Sequence, residues 1–332
     1  MTEPRTQKPP FPFIDLFAGI GGIRIALESA GGKCVFSSES DRFCRETYQA
    51  NFGEMPYGDI TKIDPVSIPD HDVLAGGFPC QTFSISGVSC RNYLGREHGF
   101  RDKTKGTLFF NIAEILGVKK PKMFLLENVK NLRDHNNGNT FKVIMTTLDD
   151  LGYTVWNRIL DSGHWVPQHR ERIFLVGILR SHFGDFASFT VPKIPKAKPP
   201  VMSSILDGDA DPKYTLTDRM WKCLQNHAER HKAQGHGFKY GLVTGDSVAK
   251  TLKHRYYKDG SEILVEQPGR NPRRLTPNEC RKLMGFPETF KVPAVDSRAY
   301  KQFGNSVVVP VVSHLAKAIA TYLSGDGRTE KF

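Results

Sequence analysis

The chain has 332 residues, enough to bury a large core as one large domain or two. Its content of 39% hydrophobic and 24% charged residues is that of an ordinary globular protein. There are 46 Lys and Arg against 35 Asp and Glu, which gives a net charge of +11. This excess favours a polyanionic partner, although surplus lysine can also serve only for solvation.

The cysteines and the apolar runs exclude several classes of protein. None of the six cysteines forms a C-x-x-C pair, so the sequence predicts neither a zinc site nor a disulfide framework. The N-terminal segment MTEPRTQKPPFPF lacks the apolar centre of a signal peptide, and no later run is long enough to cross a membrane. We therefore expect a cytoplasmic protein.

The chain begins with a Rossmann-like unit. A strand is predicted over 13–17, and it ends in the glycine turn AGIGG (residues 18–22), which a helix over 20–30 continues. Such a turn typically binds a phosphate or nucleotide, although these glycines do not complete the dinucleotide fingerprint. A second strand over 33–38 ends at Glu39, whose carboxylate suits a ribose diol; a solvated charge is the alternative.

A stiffened loop presents Cys80 at the end of a third strand. The apolar run 73–75 predicts this strand, two glycines follow it, and Phe78-Pro79 restricts the backbone before the thiol. Open α/β sheets bind ligands at this edge, although a buried, inert cysteine is the alternative. Residues 81–105 are rich in Gly, Ser, Arg and Lys, and we expect them to form a mobile lid.

Strands and helices alternate as far as residue 178. Helices are predicted over 41–51, 107–118 and 139–151, and strands over 123–126, 154–160 and 173–178. This alternation predicts an α/β fold with a doubly wound, mostly parallel sheet. Polar side chains gather at the strand ends, namely Cys80, Glu127, Arg170 and Arg172.

The pattern changes near residue 180, and a Pro- and Lys-rich linker, KIPKAKPP, follows at residues 193–200. Between residues 213 and 258 there are ten Lys and Arg against three Asp and Glu, with tyrosines and histidines interleaved. This composition is typical of a nucleic-acid-binding face, with a solvated surface as the alternative. Regular structure resumes at a capping box, Thr276 to Glu279, and a last helix over 307–323 docks back onto the first domain.

Nine motifs follow one another along the chain: DLFAGIGG, Glu39, Asp59-Ile60, GGFPCQTFS, GTLFF, LLENV, QHRER, RLTPNECRKLMGFP and FGNSV. In this order they resemble the cytosine-5 DNA methyltransferases. Three further segments, GVSCRNYLGREHGF, GHGFKYGL and RYYKDGSEIL, are most similar to the bacterial Dcm-like enzymes. The resemblance implies a catalytic domain at 1–184, an inserted target-recognition domain at 185–270 and a C-terminal segment at 271–332 that returns to the catalytic domain.

The resemblance also implies an activity. A methyl group would pass from S-adenosyl-L-methionine to C5 of a cytosine in a short duplex site with a CC/GG core. Because the target base lies inside a duplex, it must be flipped out. Cys80 would add to C6, Glu127 would donate a proton to ring N3, and Arg172, aided by Arg170, would hold the exocyclic O2.

By the same resemblance, the cofactor-binding residues are Phe17, Gly19, Ile20, Gly21, Gly22, Glu39, Asp59, Ile60, Pro79, Leu108, Asn305 and Ser306. The residues expected at the DNA are Gln81, Ser84 and Ser86 near the substrate phosphates and Lys253, Arg255 and Tyr256 in the inserted region. We expect a monomer that acts on double-stranded DNA near the bacterial nucleoid, without a metal or a membrane.

Three other interpretations stay open. A DNA-binding protein could keep this fold without catalysis, although the intact thiol, acid and arginine pair argue against it. An RNA cytosine-5 methyltransferase could use the same pocket. A nicotinamide oxidoreductase fits the first forty residues but leaves the later motifs unexplained.

Overall fold

A six-stranded mixed sheet with strand order β2-β1-β3-β4-β6-β5 forms the centre of the fold. The structure is a computed structural model, and it describes residues 10–79 and 108–325 except for 186, 195–197, 236, 238 and 259. The six strands are β1 (Phe11–Leu16), β2 (Gly32–Ser38), β3 (Val73–Gly77), β4 (Met123–Val129), β5 (Tyr153–Asp161) and β6 (Glu171–Leu179).

Strands β1 to β4 are parallel, whereas β6 is antiparallel to both of its neighbours, β4 and β5. The predicted doubly wound, mostly parallel sheet is therefore confirmed. From β1 the chain passes to β2 on one side and later to β3 on the other side. This reversal makes the carboxyl ends of β1 and β3 the place where an open α/β sheet binds its ligand.

Helices cover both faces of this sheet. They are α1 (Gly22–Ser29), α2 (Arg42–Phe52), α3 (Leu108–Lys119), α4 (Asn139–Asp150) and the short α5 (Arg180–Phe183). Consecutive strand residues enter opposite hydrophobic clusters; Val73 belongs to one cluster and Leu74 to the other, and both are completely buried. A strand that is buried on both faces has a continuous apolar sequence, which explains why β3 was predictable.

The inserted region, together with the first residues after it, contains a helix and a small sheet that the sequence analysis did not predict. Helix α6 (Asp218–Ala233) begins at Thr217, whose hydroxyl accepts from the Met220 N–H. None of the residues of α6 is fully buried; its half-buried residues, among them Trp221, Leu224 and Ala228, recur on one side at helical spacing. Strands β7 (Leu242–Val243), β8 (Leu264–Gln267) and β9 (Arg270–Arg274) form the sheet.

Three helices complete the C-terminal segment. Helix α7 (Pro277–Leu283) has the predicted capping box, in which Thr276 and Glu279 each bond the backbone of the other. Helix α8 (Asp296–Asn305) precedes α9 (Val309–Leu323), and α9 packs against α1. The last helix was predicted over 307–323 and begins at Val309, with Pro310 in its first turn, whereas Gly304 and Asn305 just before it end α8.

By length and composition, Asp296–Leu323 is long and apolar enough to cross a membrane, contrary to our expectation. It is the only such stretch among the described residues. However, 56% of its apolar window is buried, and the core helix of a soluble protein passes the same test. The cytoplasmic location stays a prediction.

Candidate active site

A carboxyl group and a guanidinium meet where β4 ends and β6 begins. Because β6 is antiparallel to β4, Val129 near the end of β4 lies opposite Arg172 at the start of β6. Arg172 Nε lies 3.0 Å from Glu127 Oε1. Only 14% of the Glu127 side chain and 18% of the Arg172 side chain are exposed, so solvent screens this ion pair weakly.

The surroundings of Glu127 favour the protonated form of its carboxyl group. Burial raises the pKa of Glu127, and this effect outweighs the lowering by Arg172 and Arg170. A carboxyl group whose pKa is raised towards the working pH is suited to act as a general acid. The same arginine that forms the ion pair would stay cationic when the proton is delivered.

Arg170 has a different environment from Arg172. Arg170 is 3% exposed, and its guanidinium donates to the carbonyls of Leu252 at 2.8 Å, Gly304 at 3.0 Å and Ser306 at 2.7 Å. Burial and the neighbouring Arg172 lower the pKa of Arg170 to about 9, so it is a cation at neutral pH. Its outer donors are thus committed to backbone carbonyls, whereas we predicted that it would help Arg172 to hold the base.

A small cavity lies beside these groups. Its polar lining comes from Glu127, Arg170, Arg172 and Ser162, and its apolar walls come from Leu160, Phe174, Val307, Val308 and Val311. A few convergent polar groups in an apolar recess are the usual composition of a small-ligand site.

Strand β3 leads the chain towards this cavity. A Cβ atom at Gly77 would lie 3.2 Å from Glu127 Oε2, and the Asn128 side chain donates to the Phe78 carbonyl at 2.9 Å. The last described residue before the gap, Pro79, is exposed. The predicted nucleophile Cys80, and Gln81, Ser84 and Ser86 in the predicted lid, lie outside the described residues.

The glycine turn connects β1 to α1 and lies against the C-terminal segment. Gly21 has a φ of +86°, and a Cβ atom there would lie 2.2 Å from the Phe52 ring, so only glycine fits. A Cβ atom at Gly22 would lie 2.9 Å from Ser306 Oγ. At Gly19 it would meet no described atom within 4 Å, so none of the described residues fills the space on that side of the turn.

Glu39 is bonded to this turn. One of its carboxylate oxygens accepts from the Gly19 N–H at 2.8 Å and the other from the Asp41 N–H at 2.7 Å. Each oxygen keeps a lone pair, so the carboxylate can still accept the two hydroxyl protons of a ribose. Space at Gly19 that no described residue fills and a carboxylate with spare acceptor capacity fit a nucleoside cofactor.

The other residues predicted at the cofactor are divided between buried and open positions. Ile20 and Ile60 are buried, whereas Phe17 and Leu108 are half-buried against one hydrophobic cluster. Asp59 Oδ1 accepts from the backbone and the hydroxyl of Thr61. Asn305 is exposed.

The residues predicted to read DNA also differ in exposure. Lys253 and Arg255 are exposed, on and beside a turn over 254–258. Tyr256 is completely buried; its hydroxyl donates to the Ile263 carbonyl at 2.7 Å and accepts from the Leu275 N–H at 2.8 Å. Tyr256 is therefore a core residue of the inserted region, and its predicted contact with DNA is wrong for this structure.

Comparison with known proteins identifies the family. The family model for C-5 cytosine-specific DNA methylases matches residues 11–321. The chain belongs to this family. It is 48% identical over 328 residues to the Type II methyltransferase M.DsaV of Dactylococcopsis salina, covering 98% of this chain and 90% of the relative. It is 45% identical to the DNA-cytosine methyltransferase of Escherichia coli K12, covering 93% of this chain and 77% of the relative.

Solved structures confirm the fold of the methylase. A DNMT2 variant from Spodoptera frugiperda superposes with a TM-score of 0.73 at 20% identity, covering 93% of this chain and 99% of that chain. The Entamoeba histolytica methyltransferase EhMeth gives 0.74 at 21% identity, covering 96% of this chain and 99% of that chain. The predicted family, the enzyme class and the methyltransferase fold are thus confirmed.

Two buried groups of the methylase escaped the sequence analysis. Gln168 is completely buried, and its side chain accepts from the Leu252 N–H at 2.7 Å. The signal that could have identified Gln168 in the sequence is its place in the motif QHRER, two residues before Arg170. Asp15 on β1 is also completely buried, and neither carboxyl oxygen has a hydrogen-bond partner within the described chain.

We predict that Asp15 makes the stability of the methylase fall with pH. Burial raises its pKa to about 8, against the opposing effect of the Arg24 cation. Between the ordinary pKa and this value, the unfolded chain releases the proton while the folded protein keeps it. The free energy of unfolding therefore falls as pH rises, by up to about 1.4 kcal/mol per pH unit. Unfolding of wild type and Asp15→Asn by denaturant at pH 5 to 8 measures this slope.

The variant should lose this part of the slope, while Asp150→Asn on the exposed side of α4 should keep it. Parallel stability curves for wild type and Asp15→Asn would show that Asp15 does not hold the proton.

Proposed function

We propose that the protein transfers a methyl group from S-adenosyl-L-methionine to C5 of a flipped-out cytosine in a short duplex site with a CC/GG core. A covalent bond between Cys80 and C6 activates the ring. The observation that supports this most strongly is the weakly exposed Glu127–Arg172 pair, which lines a small cavity. The pair lies at the edge of the sheet where β3 ends, and the predicted nucleophile Cys80 follows β3 in the sequence.

The residue types agree with the chemistry that cytosine requires. C5 is a poor nucleophile, so a group must first add to C6, and a thiolate adds reversibly and leaves again. Protonation of N3 by Glu127 would neutralise the charge that this addition creates, while Arg172 holds O2. C5 of the adduct would then take the methyl group, which leaves S-adenosyl-L-homocysteine as the product of the donor. Transfer of the C5 proton to a solvent base, departure of the Cys80 thiolate and return of the N3 proton to Glu127 would release 5-methylcytosine.

The cofactor would lie across the carboxyl ends of β1 and β3 and supply an electrophilic sulfonium methyl group. We assign the glycine turn to its methionine part and Glu39 to its ribose. Phe17, Asp59, Ile60 and Leu108 would surround the adenine, and Pro79, Asn305 and Ser306 would complete the site. The spare acceptor capacity of Glu39 and the space at Gly19 that no described residue fills support this assignment.

The inserted region, residues 185–270, would serve as the target-recognition domain. The pocket can recognise only the flipped base, so the rest of the site must be read by other groups. Lys253 and Arg255 are exposed, and such side chains donate to guanine O6 and N7 in the major groove. Gln81, Ser84 and Ser86 would contact the phosphates near the target base. The CC/GG core follows from the similarity of this region to the Dcm-like enzymes.

Methylation-sensitive sequencing of DNA from cells that express the protein tests the activity and the site together. We expect modified cytosines confined to one short sequence with a CC/GG core. A map with another core would overturn the site but leave the chemistry in place. Incorporation of labelled methyl groups into transfer RNA, with none into duplex DNA, would overturn the DNA substrate.

We predict that Cys80→Ala abolishes methylation while S-adenosyl-L-methionine still binds, because the variant loses only the nucleophile. Radiolabelled methyl transfer and calorimetric cofactor binding measure the two effects. Cys223→Ala, which changes an exposed cysteine on α6, is the matched control and should retain activity. A Cys80→Ala variant that keeps a tenth of the rate would rule out the covalent route.

The covalent intermediate can be trapped directly. DNA that carries 5-fluorocytosine should form a stable adduct with the wild type, because fluorine cannot leave C5 as a proton does. The adduct should map to Cys80 by mass spectrometry of the digested complex, and it should be missing in Cys80→Ala.

We predict that Glu127→Gln lowers the methylation rate by about a hundredfold or more, the usual scale of general acid catalysis. Since burial raises the Glu127 pKa, wild-type activity should be present below that pKa and fall as pH rises through it. The residual activity of Glu127→Gln should lack this decline. Single-turnover rates across a pH series measure both effects.

The variant should bind duplex DNA with wild-type affinity, as should Glu46→Gln, which removes a carboxylate from an exposed ion pair on α2. If DNA binding disappears together with turnover in Glu127→Gln alone, Glu127 has a structural role instead.

We predict that Arg255→Ala costs about 1–3 kcal/mol and relaxes the preference at one base pair, the effect of losing a contact to guanine. Methylation rates on the cognate duplex and on every single-base-pair variant of it measure this effect. Lys258→Ala, three residues further along the same exposed turn, is the control. Equal weakening of Arg255→Ala on all sequences would identify a phosphate contact.

A further inference from the structure

The residues just before β6 are hydrogen-bonded to the inserted region. The Pro167 carbonyl accepts from the Ala249 N–H at 2.8 Å, and the His169 N–H donates to the Ala249 carbonyl at 2.9 Å. The Thr251 hydroxyl donates to the His169 carbonyl at 2.7 Å. Residues 167–170 and 249–252 therefore run side by side like two strands, one leading to Arg172 and the other to Lys253.

Two buried side chains complete this contact. Gln168 Oε1 accepts from the Leu252 N–H, and Arg170 Nη1 donates to the Leu252 carbonyl. The backbone N–H and the carbonyl of Leu252 are thereby both held by side chains that come just before β6. The residue that they hold comes directly before the exposed pair Lys253 and Arg255.

The same guanidinium also binds the segment that closes the cofactor site. Arg170 Nη2 donates to the carbonyls of Gly304 and Ser306, on either side of Asn305. Gly304 in turn packs directly on residues 249–255, which we call the recognition segment, because a Cβ atom at Gly304 would lie 2.4 Å from the Lys253 carbonyl. One buried cation thus joins three segments that are far apart in the sequence.

We propose that Arg170 is a positioning residue that fixes Lys253 and Arg255 relative to the Glu127–Arg172 pair, so that correct base reading and methyl transfer are coupled. The coupling is geometric. Arg170 comes two residues before Arg172 in the chain. Its guanidinium binds Leu252, the residue before Lys253, and it binds Gly304 and Ser306, the residues on either side of Asn305. When the protein binds the wrong DNA sequence, a shift of the recognition segment would therefore displace both the Glu127–Arg172 pair and Asn305.

This inference rests on the proposed function, since it requires a DNA sequence to be read and methylated. Its test is a ratio, namely the methylation rate on the cognate duplex divided by the rate on duplexes with one altered base pair. A purely structural role would lower the melting temperature without changing this ratio in the folded protein. A positioning role changes the ratio because cognate DNA no longer aligns the pair better than altered DNA does.

The decisive variant is Arg170→Lys, which keeps the charge but cannot donate to all three carbonyls in a fixed geometry. We expect kcat on the cognate duplex to fall by about a hundredfold and the discrimination ratio to fall by about tenfold, the scale of losses from misplaced reacting groups. The matched control is Arg180→Lys, since Arg180 also donates to two carbonyls, those of Asp149 and Tyr153, after the far end of β6. It should keep the wild-type ratio.

Thr251→Val provides a second test that leaves the guanidinium in place and removes one hydrogen bond of the same contact. We expect a smaller loss of discrimination, about threefold, with kcat reduced and the KM for DNA little changed. Folded Arg170→Lys and Thr251→Val proteins with wild-type discrimination would overturn the proposal. Wild type that methylates no duplex would instead overturn the proposed function, so the two failures are distinguishable.

Discussion

The antiparallel direction of β6 is the constraint on which the site depends. Glu127 stands near the carboxyl end of β4, and Arg172 stands at the amino end of β6. In a fully parallel sheet these ends would lie at opposite edges, about seven residues of extended chain apart, or roughly 20 Å. Because β6 is reversed, Arg172 lies opposite Val129 and its guanidinium reaches the carboxylate. The same reversal brings Arg170 to the edge where the glycine turn and the C-terminal segment meet.

Burying two cations and an acid so close together is expensive unless every charge has a partner. The two arginines meet this requirement in different ways. Arg172 is paired with Glu127, while the two Nη atoms of Arg170 donate to three carbonyls from two other segments, and its Nε has no hydrogen-bond partner among the described residues. The polar requirements of the site therefore also decide how the inserted region and the C-terminal segment dock. An apolar contact at this place would tolerate sliding, whereas a guanidinium fork fixes the register.

The catalytic sheet and the family could be predicted from the sequence alone, whereas the structure of the inserted region could not. Strands such as β3 are continuous apolar runs, and the glycine turn is defined by local backbone requirements, so both are local signals. Helix α6 has no fully buried residue, only a half-buried side that includes Trp221 and Leu224, so burial marks it less clearly than the helices that cover the main sheet. Tyr256 was misjudged for a related reason: the basic, aromatic pattern around it describes composition, whereas its hydroxyl is bonded to the backbone of Ile263 and Leu275, which lie outside that pattern. Cys80 itself lies outside the described residues, so its place in the site rests on the motif.

Arg170 shows how one motif can hold two different kinds of information. QHRER places Gln168, Arg170 and Arg172 two residues apart, so their side chains share one side of an extended chain. Nothing in that spacing tells which arginine meets the base and which meets the backbone. The partners decide it: Leu252, Gly304 and Ser306 supply carbonyls to Arg170, while Glu127 supplies a carboxylate to Arg172. A carboxylate that can gain a proton is a reactive partner, whereas a peptide carbonyl is not. The chemistry and the assembly of the site are thus divided between two arginines of the same motif.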